Sequence, residues 1–315
     1  MALDPEIAAL LKELGLDVPE PAEPPTVAEM RETTRAFSLA LSTGPPIEVG
    51  AVTDDRITGV PVRIYRPEDE PAGEGAVPTV VYFHGGGFVT GDLDTHDGIC
   101  RRLCRDLAAV VVAVAYRLAP EFPFPAGFDD CVAVTSHVGD HIADYGGCSL
   151  AVAGDSAGGS LAAGVALAFR DEGRPLAAQF LAYPGTDLSD ERHHRSLTEH
   201  ATGYVLTRAG IDRFKDFYLS EIPAAAAGAP ASPLLADSHE GLPPAVIGCA
   251  EFDPLRDEGL AYADALLAAD VVVDKHVFPG LVHGFLHLAA RSQAAEAATA
   301  RLTAEFGELL RSLPR

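Results

Sequence analysis

Residues 150–169, LAVAGDSAGGSLAAGVALAF, constrain this chain more than any other stretch. Leu150-Ala151-Val152-Ala153 is a short apolar run of strand type. It meets Gly154-Asp155-Ser156-Ala157-Gly158, and an alanine-rich segment of helical character follows at once. A strand that turns so sharply into a helix holds its apical residue in a strained backbone conformation. Glycines two positions to either side of Ser156 carry no Cβ to clash there. The serine is pushed clear of the sheet. The next amide, on Ala157, belongs to the first helical turn, where N–H groups lack intrahelical partners. One turn thus offers a nucleophile and a hydrogen-bond donor beside it. A capped turn of small residues reads the same way in isolation, so the rest of the chain has to decide.

The surrounding pattern is strand–helix–strand–helix, the signature of a mostly parallel sheet flanked by helices. Residues 4–16 and 26–41 read as amphipathic helices joined by a proline-rich connector at 18–25. After Gly44-Pro45-Pro46, residues 47–52 and 60–65 read as an antiparallel edge pair. Strands are expected at 79–83, 108–115, 150–153, 177–183, 245–249 and 271–278. Helices are expected at 97–107, 128–145, 255–269 and 290–313, with one more at 206–220. The alternation lapses between 185 and 230, an excursion whose length fits a lid. The organisation expected is therefore residues 1–45 as the N-terminal part of a helical cap, 46–184 as the first part of the core, 185–230 as a cap insertion, and 231–315 as the second part of the core. A sequence of 315 residues with 48% hydrophobic content suffices for one such domain.

Right-handed crossovers gather the loops at the strands' carboxyl ends on one rim. That rim collects His84-Gly85-Gly86-Gly87-Phe88, Ser156, Glu251 to Asp253, and Gly280 to Phe285. A serine needs a base beside it and an acid to orient that base. With this kind of elbow the order along the chain is serine, acid, histidine. His283, after the last strand, fits the base. Asp253, after the preceding one, fits the acid, with Pro254 also suiting it to cap a helix. Glu251 and Asp257 are rival acids. His287 stands four residues beyond His283, but no third ligand lies at metal-site spacing, so no metal is expected. The glycine loop follows a strand end, and backbone N–H groups there with that of Ala157 would face a developing oxyanion. Gly86 and Gly87 are the donors expected, with Gly85 enabling the turn.

The net charge of −23 argues against nucleic acid and anionic membranes as partners. No run of 18 apolar residues is present. The amino-terminal residues carry no cationic-then-apolar leader pattern, and the five cysteines, Cys100, Cys104, Cys131, Cys148 and Cys249, fit no disulfide framework. A cytoplasmic location is the expectation from these features.

Five stretches, HGGGFVTGD from His84, YRLAPE from Tyr116, GDSAGG from Gly154, DPLRDEG from Asp253 and HGF from His283, occur in one order. Together they resemble the hormone-sensitive-lipase-like family of α/β-hydrolases, in its bacterial esterase branch, from about residue 47 onward. The resemblance implies an eight-stranded, mostly parallel sheet with a helical cap, and a serine carboxylesterase acting on short- to medium-chain acyl esters without a cofactor. It implies Ser156, Asp253 and His283 as the catalytic set, Gly85, Gly86, Gly87 and Ala157 as the oxyanion hole, and Phe88, Asp155 and Phe285 on the substrate side. Position 88 usually carries tryptophan in that family and is Phe88 here. Members often form homodimers, but nothing in this chain marks an interface. An amidase or formamidase on the same residues is an alternative. So is a non-catalytic receptor of this fold, against which His283 argues.

Overall fold

The computed structural model describes residues 2–16, 24–41, 44–68 and 77–312. Eight strands form a single sheet: β1 (Ala51–Ile57), β2 (Val60–Arg66), β3 (Val77–Phe83), β4 (Val110–Val114), β5 (Gly147–Asp155), β6 (Gln179–Ala182), β7 (Ala245–Phe252) and β8 (Val273–Val282). Their spatial order is β1-β2-β4-β3-β5-β6-β7-β8. Strand β2 runs antiparallel to both its neighbours, and all other pairs are parallel. The helices are α1 (Pro5–Glu13), α2 (Val27–Leu41), α3 (Asp97–Leu107), α4 (Ala126–Asp140), α5 (Ile142–Tyr145), α6 (Ala157–Asp171), α7 (Ser196–Glu199), α8 (Arg208–Tyr218), α9 (Arg256–Ala268), α10 (Phe285–Leu288) and α11 (Gln293–Ser312). Most of the proline-rich connector read from the sequence lies outside the described residues.

The central strands bury both faces, which is why they read as continuous apolar runs rather than alternating ones. Val81, Phe83, Val112 and Val152 face a layer built on α4, α6 and α9. Val80, Tyr82, Val111 and Ala153 face the other layer, where α3 and α11 contribute Leu103, Leu302 and Phe306. Each of those large side chains contributes about 1.5–3 kcal/mol by leaving water.

Three elements differ from the sequence reading, each for a local reason. The first strand lies at Ala51–Ile57 rather than 47–52, because a two-residue turn at Thr58-Gly59, both with positive φ, sets the register Ile57 to Val60. This edge strand is mostly exposed, so its sequence shows no buried alternation. The last strand extends through Pro279-Gly280 to Val282. Proline is tolerated there because β8 is an edge, and the Glu251 carboxylate accepts the Gly280 N–H at 2.9 Å. Helix α1 packs Ile7 and Leu11 into the same core cluster as Phe278 and Val282. It is held at its start by Asp4, whose side chain accepts the N–H groups of Glu6 and Ile7.

Candidate active site

The end of β5 and the start of α6 place Ser156 at the apex of the turn with φ 54° and ψ −121°. Packing forces that strain. A Cβ on Gly158 would lie 1.9 Å from the Phe83 carbonyl oxygen, so only glycine lets α6 approach β3 this closely. The Ser156 amide donates to the Ala182 carbonyl at 2.9 Å, which locks the turn to the next strand.

Above it, the ends of β7 and β8 bring in the other two groups. His283 Nε2 lies 2.9 Å from Ser156 Oγ. Its Nδ1 lies 2.8 Å from Asp253 Oδ2. An ionised carboxylate only accepts, so Nδ1 carries the proton and Nε2 presents its lone pair to the serine hydroxyl. Asp253 is fully buried, and its other oxygen accepts the Leu255 N–H at 2.8 Å. The same carboxylate therefore caps the turn ahead of α9 and holds the imidazole. The rival acids are committed elsewhere, Glu251 to Gly280 and Asp257 to the Ser196 N–H and the Arg256 guanidinium.

The glycine loop sits beside this chain. Gly86 and Gly87 have φ of 119° and 62°. The Gly86 carbonyl accepts the N–H groups of Val89 and Thr90, at 3.1 and 2.9 Å. Among the described residues, no acceptor takes the N–H of Gly86, Gly87 or Ala157. Gly85, expected to enable the turn, spends its own N–H on Asp155 Oδ1 at 2.9 Å.

Asp155, placed on the substrate side from the sequence, lines the cavity and also anchors that loop. Its carboxylate also accepts the Tyr82 hydroxyl at 2.6 Å. Burial opposes its charge, but neighbouring His96 and the hydrogen bonds from His96 and Tyr82 prevail and hold it below the usual carboxylate range. Phe88 does border the cavity, with its ring stacked on Tyr218 at 3.8 Å between centroids. Phe285 does not; it is fully buried, edge-on to Tyr183 and Phe278.

The cavity over Ser156 has a volume of about 270 Å³ and is mostly apolar, with walls that include Phe37, Leu188, Leu206, Ile211, Phe214 and Leu255. Of the other aromatics in the segments expected to form a cap, Phe217 and Tyr218 pack into the core instead. Helix α2 is clamped to the glycine loop's far arm. Arg31 donates to the carbonyls of Val89 and Ala119, at 2.9 and 3.1 Å, and pairs with Glu121. Sequence reading missed Arg31, because an arginine on an exposed helix face carries no pattern of its own. His194 is half-buried and His200 buried; His194 pairs with Asp187 at 3.1 Å.

Comparison with known proteins agrees with this geometry. A family model described as an α/β-hydrolase fold matches residues 80–287. The carboxylesterase NlhH of Mycobacterium tuberculosis is 43% identical over 289 residues, covering 88% of each chain. The ethyl acetate hydrolase of Pseudomonas putida is 37% identical over 311 residues, covering 94% of this chain and 96% of that one. Among solved structures, the hyperthermophilic esterase from the archaeon Pyrobaculum calidifontis superposes with a TM-score of 0.91 at 36% identity, covering 98% of this chain and 99% of that one. The chain belongs to the hormone-sensitive-lipase-like family of α/β-hydrolases and is a carboxylic ester hydrolase.

Proposed function

We propose that Ser156, His283 and Asp253 carry out two-step acyl transfer on small esters. Ser156 Oγ attacks the ester carbonyl carbon as its proton passes to His283 Nε2. Asp253 keeps the imidazole in the required tautomer and stabilises its cation. The carbonyl oxygen becomes an oxyanion facing the N–H groups of Gly86, Gly87 and Ala157, each worth about 2.7–4 kcal/mol of transition-state stabilisation. Collapse breaks the bond to the alcohol oxygen, which leaves with the proton from His283. Water then gives a proton to His283 and its oxygen to the acyl carbon. The carboxylic acid departs and Ser156 recovers its hydrogen.

The observation that carries this reading is the unbroken hydrogen-bonded chain from Ser156 Oγ through His283 to Asp253. A volume of about 270 Å³ lies at the lower end of the usual small-molecule range, which favours short acyl chains. The likeness to an ethyl acetate hydrolase points the same way. In this reading the helix at Val27–Leu41 and residues 185–230 form a cap over the cavity, on a core of residues 46–184 and 231–315. No described helix is long and apolar enough to cross a membrane. Five free cysteines fit a reducing cytoplasm.

Ser156→Ala tests the assignment. The variant should keep the wild-type melting temperature and lose p-nitrophenyl acetate hydrolysis to background; undiminished turnover would sink it. A rate series across ester chain lengths should peak at short acyl groups. A matched amide should turn over far more slowly than its ester.

A further inference from the structure

Three side chains outside the acyl-transfer chemistry meet at the foot of the cavity. His96 precedes α3, Asp155 ends β5, and His287 lies on α10. One ligand-type atom from each falls within 4.8 Å of the others, and all three residues open on the cavity. The sequence pairs His287 with His283 at helical spacing. The structure separates them, because His283 follows the end of a strand and Gly284, with φ 78°, turns the chain before α10 begins.

Hydrogen-bonding contacts hold the His96 ring in place. The Thr95 hydroxyl donates to the Asp92 carbonyl at 2.8 Å and accepts the Asp92 N–H at 2.8 Å. His96 Nδ1 lies 2.9 Å from the same hydroxyl oxygen. The other ring nitrogen, Nε2, faces Asp155 Oδ1 at 3.3 Å. The Gly85 N–H reaches both, but lies nearer the carboxylate, at 2.9 Å, than the ring, at 3.3 Å. A metal ion bound here would take this nitrogen and this carboxylate oxygen as ligands. His287 adds a third donor. Its ring stands edge-on to His96 at 4.7 Å, and no described residue hydrogen-bonds its nitrogens.

We propose that His96, Asp155 and His287 form a binding site for a divalent transition-metal ion of the zinc class, and that its occupation inhibits ester hydrolysis. Two imidazoles and a carboxylate are a zinc donor set whose fourth position stays open, here toward the cavity. Zinc–ligand bonds of about 2.0–2.2 Å place neighbouring donors of a tetrahedron about 3.4 Å apart. The 3.3 Å between His96 Nε2 and Asp155 Oδ1 already matches, and His287 has to close by about 1.5 Å at most. The net charge of −23 concentrates cations near the protein. A metal on Asp155 competes with the Gly85 N–H for the same carboxylate and so loosens the loop of oxyanion donors. That competition makes the ion an inhibitor.

Calorimetric titration of EDTA-treated protein with Zn²⁺, and the visible spectrum with Co²⁺, test the site without using turnover. A failed titration therefore leaves the esterase reading intact, and a failed Ser156→Ala test leaves the titration intact. The expected result is one ion per chain, with the intense visible bands of four-coordinate cobalt. Zinc should inhibit p-nitrophenyl acetate hydrolysis, and EDTA should reverse it. His287→Ala should weaken zinc affinity by at least the 10–100-fold that even an outer-sphere partner costs. The ratio of its rates without and with zinc should fall to near one at concentrations that inhibit the wild type. His287→Gln, closer in shape, serves if the alanine variant does not fold. Absence of binding up to millimolar zinc would overturn the proposal. Affinity unchanged in the His287 variants would place the ion on His283 or on surface carboxylates, and would overturn it equally.

Discussion

Replacing Gly86 by alanine separates the glycine loop's proposed catalytic role from its structural one. Its φ of 119° lies where side chains are strained. An added Cβ would stand 2.2 Å from the Thr90 carbonyl oxygen and 2.7 Å from Thr90 Oγ1. The first obstacle is backbone, so the loop has to shift, at a cost of about 1–3 kcal/mol in stability. For a chain of this size that lowers Tm by a few degrees. The same shift takes the Gly86 N–H off the oxyanion. One lost donor is worth about 2.7–4 kcal/mol, a fall in kcat of about 10² to 10³. KM should change little, because the apolar walls at Phe37, Phe214 and Leu255 are untouched. Gly98→Ala is the control: it lies exposed in the first turn of α3 with nothing within 4 Å of its added Cβ. Steady-state kinetics on p-nitrophenyl butyrate and thermal melts of both variants decide the matter. A Gly86→Ala enzyme with kcat within threefold of the wild type and a lowered Tm would refute the assignment of the oxyanion to this loop.

Asp253→Asn keeps the cap on Leu255 but presents the wrong tautomer to Ser156, so kcat should fall by about 10⁴ with the fold retained; stopped-assay kinetics with circular dichroism check both halves. Glu258 is fully buried on α9, accepts the N–H groups of Thr186 and Asp187, and is pushed by desolvation up to about 7 from an unfolded value of 4.5. The folded chain therefore holds this proton more tightly than the unfolded one, and the stability it gives is present below pH 4.5 and lost as pH rises toward 7. The loss amounts to about 3 kcal/mol. Urea denaturation at pH 5 and pH 8 should show a smaller drop for Glu258→Gln than for the wild type, and an identical drop would contradict the burial argument.

Much of this site was legible because its chemistry is tied to turn geometry. The elbow announces itself through Gly154 and Gly158, where an added Cβ would fall 2.2 and 1.9 Å from a backbone oxygen. Buried parallel strands read as unbroken apolar runs, and strand order then places Asp253 and His283 on the same rim. What the sequence hides is decided by partners far along the chain. Gly85 looks like Gly86 and Gly87 until Asp155, 70 residues on, takes its N–H. Phe285 lies beside His283 in sequence, yet the chain turns it into the core against Tyr183. The grouping of His96, Asp155 and His287 arises from three separate segments of the chain, with no spacing signal among them. The register of β1 depends on a Thr58-Gly59 turn, while the strand itself is mostly exposed and shows no buried alternation.

The most direct measurement is mass mapping of the protein after inactivation by a p-nitrophenyl alkylphosphonate. Such a reagent needs an activated nucleophile and leaves a group whose oxygen sits where the oxyanion would. One phosphonyl group on Ser156, formed in step with complete loss of esterase activity and greatly slowed in His283→Ala, is the result predicted. Labelling of another residue as activity disappears, or full labelling of Ser156 with activity retained, would contradict the account.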